Sequence, residues 1–161
     1  MTTKLPSETA VWHTKIPAAI QAFEWQQVID IASEVLAGSL TDDEKSQLLE
    51  WRALAYRSLG EHAAETADLQ QILHIAQANH NLPNQISALL QIAVVARVSG
   101  RQAEEQQVVE QALALSANLG EPKLLARCHF AMGRIHERRG EIEQTGSAFQ
   151  RALNLFQKAD D

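Results

Sequence analysis

LQIAVVARVSGRQAEEQQVVEQALALSANLG, residues 90–120, reads as two amphipathic helices on either side of a glycine. Upstream of Gly100, Leu89, Ala93 and Ala96 fall on one face at helical intervals. Downstream, Val109, Ala112 and Leu113 make a second stripe at i, i+3, i+4. A glycine between the two can take the left-handed backbone that ends a helix. The stretch therefore predicts helix, tight turn, helix.

Gly60 and Gly140 stand forty residues to either side of Gly100, and their surroundings match in kind. Nine residues after the glycines come Leu69, Val109 and Phe149. Twelve after come Ile72, Ala112 and Ala152, and thirteen after come Leu73, Leu113 and Leu153. Seven before stands a small residue, Ala53, Ala93 or Gly133. A fixed period of this kind marks stacked supersecondary units. The pattern predicts helices over 42–59, 62–79, 83–99, 102–118, 122–139 and 142–158. Thr41-Asp42-Asp43-Glu44 reads as a capping box, and Pro83 and Pro122 fit the first turns of their helices.

A degenerate unit precedes these. Ala32, Val35 and Leu36 predict a helix near 25–37, and a shorter one over 16–23 would start at Pro17. No glycine lies between Phe23 and Gln26, so the register there stays open. The expected layout is a tail over 1–13, four units over 14–41, 42–81, 82–121 and 122–158, and a short tail over 159–161. The N-terminal tail is either disordered or covers the end of the stack through Trp12.

Composition agrees with an all-α fold. The chain has 161 residues, 45% of them hydrophobic, with only seven glycines and four prolines. Net charge is -6, which suits neither nucleic acid nor an anionic membrane. Charge is uneven: residues 1–96 hold five basic and eleven acidic side chains, whereas residues 97–161 hold nine of each. Cys128 stands alone, so no intrachain disulfide and no thiolate metal cluster can form. The N-terminus has no apolar leader segment and no stretch reaches spanning length, so a cytoplasmic protein is expected. The initial Met fits a complete chain or an N-terminal domain; the stop straight after the last helix fits a piece of a larger protein equally.

ALAYRSLGEHAAE, residues 90–120 and FAMGRIHERRGEIEQTGSAFQRALNLF together resemble the tetratricopeptide repeat (TPR) family, in a variant of about forty residues per repeat. The resemblance covers about residues 14–158. It implies a right-handed α-α superhelix of about three and a half to four helix hairpins, with each first helix lining a concave groove. It also implies a small residue five after each glycine, where this chain has Glu65, Glu105 and Thr145, so looser or rotated packing is expected at those crossings.

On that architecture the groove would be lined by Gln47, Glu50, Leu54 and Arg57, then Leu90, Val94 and Arg97, then Arg127, Phe130, Arg134 and Arg138, with Trp51 at its rim. An apolar centre (Leu54, Leu90, Val94, Phe130) bordered by arginines suits a helical or extended partner segment flanked by Asp or Glu. Some family members clamp chaperone C-termini. Their positions fall here on Glu50, Leu54, Gln91, Arg127 and Ala131, of which only Arg127 is basic, so that subclass is excluded.

The remaining signals favour structural roles. His129 and His136 share a face but lie in packing columns, and no carboxylate completes a zinc motif, so no metal is expected. Cys128 reads as a small buried hydrophobe. No phosphate loop, nucleophile elbow or converging carboxylates occur, so neither catalysis nor a cofactor is expected. The expected function is an adaptor or scaffold that binds another protein; the alternative is a regulatory sensor for a small peptide or ligand. Phe149, Leu153 and Phe156 on the last helix would serve a homodimer or a partner contact.

Overall fold

The computed structural model describes residues 11–160, and every regular element among them is a helix. Eight follow in order: α1 (Trp12–Gln21), α2 (Trp25–Leu36), α3 (Asp42–Leu59), α4 (His62–Ala78), α5 (Leu82–Val98), α6 (Gln102–Ser116), α7 (Pro122–Arg139) and α8 (Ile142–Asp160). Packing divides the chain into two units, Met1–Ile72 and Leu73–Asp161, with the division inside α4. Among the described residues no helix is long and apolar enough to cross a membrane.

In the first unit α1 packs on α2 and α2 on α3. Trp12, Ile16 and Ala19 meet Val28, Ile29, Ala32, Leu48 and Ala55 in one core. The expected start of α1 at Pro17 is corrected. The helix begins at Trp12, and Pro17 lies inside it. Proline removes one backbone hydrogen bond there. Burial of the Trp12, Ile16 and Ala19 stripe offsets that loss. Trp12 and His13 are thus helical instead of part of a tail, while residues 1–10 of the expected tail lie outside the described residues. At the other end α8 runs through Ala159 to Asp160, so the expected tail over 159–161 is also corrected; residue 161 lies outside the described residues.

The hairpin turns share one hydrogen-bond pattern. At Gly60 (φ 76°) the Gly60 N–H donates to Arg57 O at 3.1 Å, and the Glu61 N–H reaches Tyr56 O at 2.8 Å. Gly100 and Gly140 repeat both bonds. The same pair occurs at Phe23, whose N–H donates to Ile20 O at 3.1 Å while the Glu24 N–H donates to Ala19 O at 2.9 Å. Phe23 has φ 59°, so it stands where the later units have glycine, and this settles the register that the sequence left open. A left-handed backbone costs a residue with a Cβ about 1–2 kcal/mol.

In the second unit α5 packs on α6, α6 on α7, α7 on α8, and α5 also touches α7. Ile86, Leu89, Leu90, Ala112, Leu124 and Cys128 form one cluster, and Ala93, Val109 and Ile135 another. Asn81 caps α5 by accepting from the Asn84 N–H at 3.1 Å. In the first unit the Thr41–Glu44 capping box forms as expected, with the Thr41 N–H donating to Glu44 Oε2 at 2.8 Å and the Glu44 N–H to Thr41 Oγ1 at 3.3 Å.

The looser crossings expected at Glu65 and Glu105 are not found. Both side chains are buried and ion-paired. Glu65 Oε1 accepts from Arg57 Nε at 2.5 Å, and Glu105 accepts from Arg138 on α7. Asp68 adds a two-pronged pair with Arg52 at 2.7 and 2.8 Å, and Arg52 also donates to Ser33 Oγ on α2 at 2.9 Å. Charge pairing fills the space that small residues would close in the family pattern.

Candidate interaction face

Arg127, Phe130, Arg134 and Glu137 recur along one side of α7 at helical spacing. All four are exposed, and Phe130 keeps 49% of its surface in solvent. Its ring lies 5.4 Å from that of Phe149 on α8. Phe149 in turn covers Gly133, where a Cβ would fall 2.5 Å from the Phe149 ring. The missing side chain at 133 admits Phe149, and Phe149 props Phe130 outward. On α5, Val94 is exposed and Arg97 half-buried, and Val98 beyond them is more exposed still.

The five arginines expected to border the groove have different fates. Arg57 and Arg138 are held by the buried carboxylates of Glu65 and Glu105. Arg134 Nε stands 3.4 Å from Glu137 Oε2 at the surface. Among the described residues Arg97 and Arg127 have no ion-pair partner. Leu90 is corrected: it is 7% exposed and belongs to the core with Leu124 and Cys128, because α7 packs over it. The face of the second unit is therefore Val94, Arg97, Arg127, Phe130 and Arg134.

The first unit carries its expected residues differently. Leu54 and Glu50 are exposed on α3, and Gln47 is half-buried. Trp51 is half-buried and meets Trp12 edge-to-face at 5.6 Å, so it packs with the core and does not stand free at a rim. Partial desolvation pushes the Glu50 carboxyl above its ordinary value, and no basic side chain pairs with it among the described residues. A carboxyl whose pKa is raised by folding weakens the folded state as pH climbs through the carboxylate range. Glu50→Gln should therefore gain Tm relative to the wild type at pH 7, and the gain should vanish below the unfolded carboxylate pKa, near pH 3 to 4. Paired melting curves at the two pH values check this.

Cys128, His129 and His136 have structural surroundings. Burial raises the pKa of the Cys128 thiol, against smaller opposing effects from Ser116 and Arg127, so the reactive thiolate is disfavoured. Desolvation lowers the pKa of His129, with the charge of Arg151 acting the same way. His136 Nδ1 lies 2.5 Å from Glu141 Oε2 across the α7–α8 turn.

Solved structures with the same arrangement of helices exist. BtubC from P. vanneervenii superposes with a TM-score of 0.81 at 14% identity, over 94% of this chain and 64% of that one. A Rap protein complexed with Competence and Sporulation Factor superposes at 0.75 and 15% identity, over 99% of this chain and 46% of that one. This chain has a TPR-like helical-repeat fold. It spans less than two thirds of BtubC and less than half of the Rap protein. No sequence-family model matches it, and no curated protein matches it by sequence.

Within the repeat, the support of Phe130 by Phe149 escaped the reading of the sequence. Its signal lies in two columns. The small residue seven before the glycine and the large one nine after run Ala53 and Leu69, Ala93 and Val109, Gly133 and Phe149. The last unit has the smallest member of the first column and the largest of the second. That is the pairing a close helix crossing requires.

Proposed function

We propose that the protein is a cytoplasmic protein-interaction module, not an enzyme, and that the α5–α7 face of its second unit takes a partner segment with apolar anchors flanked by Asp or Glu. One observation carries this reading: Phe130 on α7 is held half out of the surface against Phe149, and the packed pair α5 and α7 also carries exposed Val94 and two arginines without an ion-pair partner among the described residues, Arg97 and Arg127. An exposed aromatic on a rigid base loses little entropy on binding. Arginine forks pair with carboxylates in two-pronged geometry. The Rap protein of similar fold, solved with Competence and Sporulation Factor, supports reading such a fold as a binding scaffold.

Selection from a random peptide display library tests the proposal. Enriched peptides are expected to combine an apolar anchor with Asp or Glu. Arg97→Glu/Arg127→Glu should weaken their binding about thirtyfold, and Phe130→Ala by a similar factor, at unchanged helicity. Peptides without acidic enrichment, or binding indifferent to these changes, would overturn it.

A further inference from the structure

Phe23 is the conformational outlier of the first unit. Its backbone is left-handed (φ 59°), and 74% of its side chain is exposed. Its ring meets Trp25 edge-to-face at 5.9 Å and an interplanar angle of 74°. Phe23, Trp25 and Leu59 line an open cleft of about 470 Å³ together with Glu24, Gln26 and Gln27. Glu24 precedes the first residue of α2, yet its carboxylate makes no capping bond to that helix. Gln26 is occupied with Asp30, donating to Oδ1 at 2.9 Å.

Neither the strain nor the exposure is needed by the fold. Three other turns make the same hydrogen bonds with glycine and a fourth makes them at His80 (φ 52°), but Phe23 is the large apolar residue among them. A large aromatic kept in solvent at a strained position points to contact with something else. Charge says what. Between Lys15 and Lys45 the chain holds no basic residue, while Glu24, Asp30 and Glu34 lie in or just before α2. The N-terminus of α2 contributes about half a positive charge, which the whole negative charge of Glu24 outweighs.

We propose that this cleft is a second docking site, for a lysine or arginine side chain of a basic partner segment. The aromatic faces attract the cation, Leu59 and the ring edges take its aliphatic stem, and the Glu24 carboxylate accepts its N–H groups. The site stands independently of the arginine-bearing face of the second unit and selects the opposite charge.

The test titrates the isotope-labelled full chain with a short blocked peptide of alternating Arg and Gly, and with its Glu counterpart. Resonances of Phe23, the Trp25 indole and Leu59 should shift with the arginine peptide and not with the glutamate peptide. Phe23→Gly should melt no lower than the wild type, because the strain is relieved, yet bind about tenfold more weakly. Glu24→Gln should weaken binding and flatten its salt dependence. Equal affinity of Phe23→Gly and the wild type would overturn the proposal, as would shifts confined to other faces. Concentration-dependent shifts of these resonances without peptide would also overturn it, by showing a second copy in the cleft.

Discussion

Arg57→Met is expected to destabilise the protein by about 2–3 kcal/mol, a fall in Tm of roughly 8 °C for a chain of this length. The change strands a carboxylate. The Glu65 side chain is 1% exposed, and its Oε1 takes the Arg57 Nε–H at 2.5 Å. Among the described residues only His62 Nδ1 stands near its other oxygen, at 3.4 Å. An unpaired buried carboxylate costs several kcal/mol. The figure is held lower here because Arg57 is partly in water and His62 remains. Glu65→Gln should cost less, about 1 kcal/mol, since the guanidinium released can turn to solvent. The double change Arg57→Met/Glu65→Leu should regain most of the loss, because it removes the charge along with its partner. Urea unfolding of the wild type, Arg57→Met, Glu65→Leu and the double variant checks the cycle. A double variant as unstable as the sum of the singles would mean that the ion pair is not what holds that crossing.

Gly133→Val is expected to cost about 3 kcal/mol. A Cβ at this position would lie 2.5 Å from Cε1 and 2.6 Å from Cδ1 of Phe149, and the ring is held between α7 and Phe130. Alanine in place of glycine gains up to about 1 kcal/mol of helix propensity, so Gly133→Ala should show a smaller net loss, about 1 kcal/mol. Valine brings two more methyl groups and a poorer propensity. Gly133→Ala/Phe149→Leu copies the Ala53 and Leu69 pair of the repeat over 42–81 and should recover stability. It should also weaken peptide capture, because Phe130 loses its support. Thermal melts check the first point and peptide titration the second; a Gly133→Ala variant more stable than the wild type would sink the packing account.

The hairpins were legible because their causes are local. A glycine that accepts a left-handed backbone, a cap such as Thr41, and stripes at i, i+3, i+4 all act within one or two helical turns. The six helices read from residues 42 to 158 accordingly ended within two residues of their observed bounds. Local signals failed at α1 and at Phe23. There the burial of Trp12 overrode a proline, and a phenylalanine adopted the conformation of a glycine.

The candidate site was legible only as a set of columns. Glu50, Leu90 and Phe130 share one column, yet Glu50 and Phe130 are exposed and Leu90 is buried under α7. Arg57 and Arg97 share another, yet Arg57 is bound to Glu65, while Glu105 is taken by Arg138 from the next repeat and Arg97 is left unpaired. The amino-acid sequence alone determined where helices start, turn and stop, because those choices are made between neighbours along the chain. Which arginines remain available to a partner was decided only in the folded molecule, because a buried carboxylate pairs with whichever cation packing brings nearest, and that cation stood thirty-three residues away.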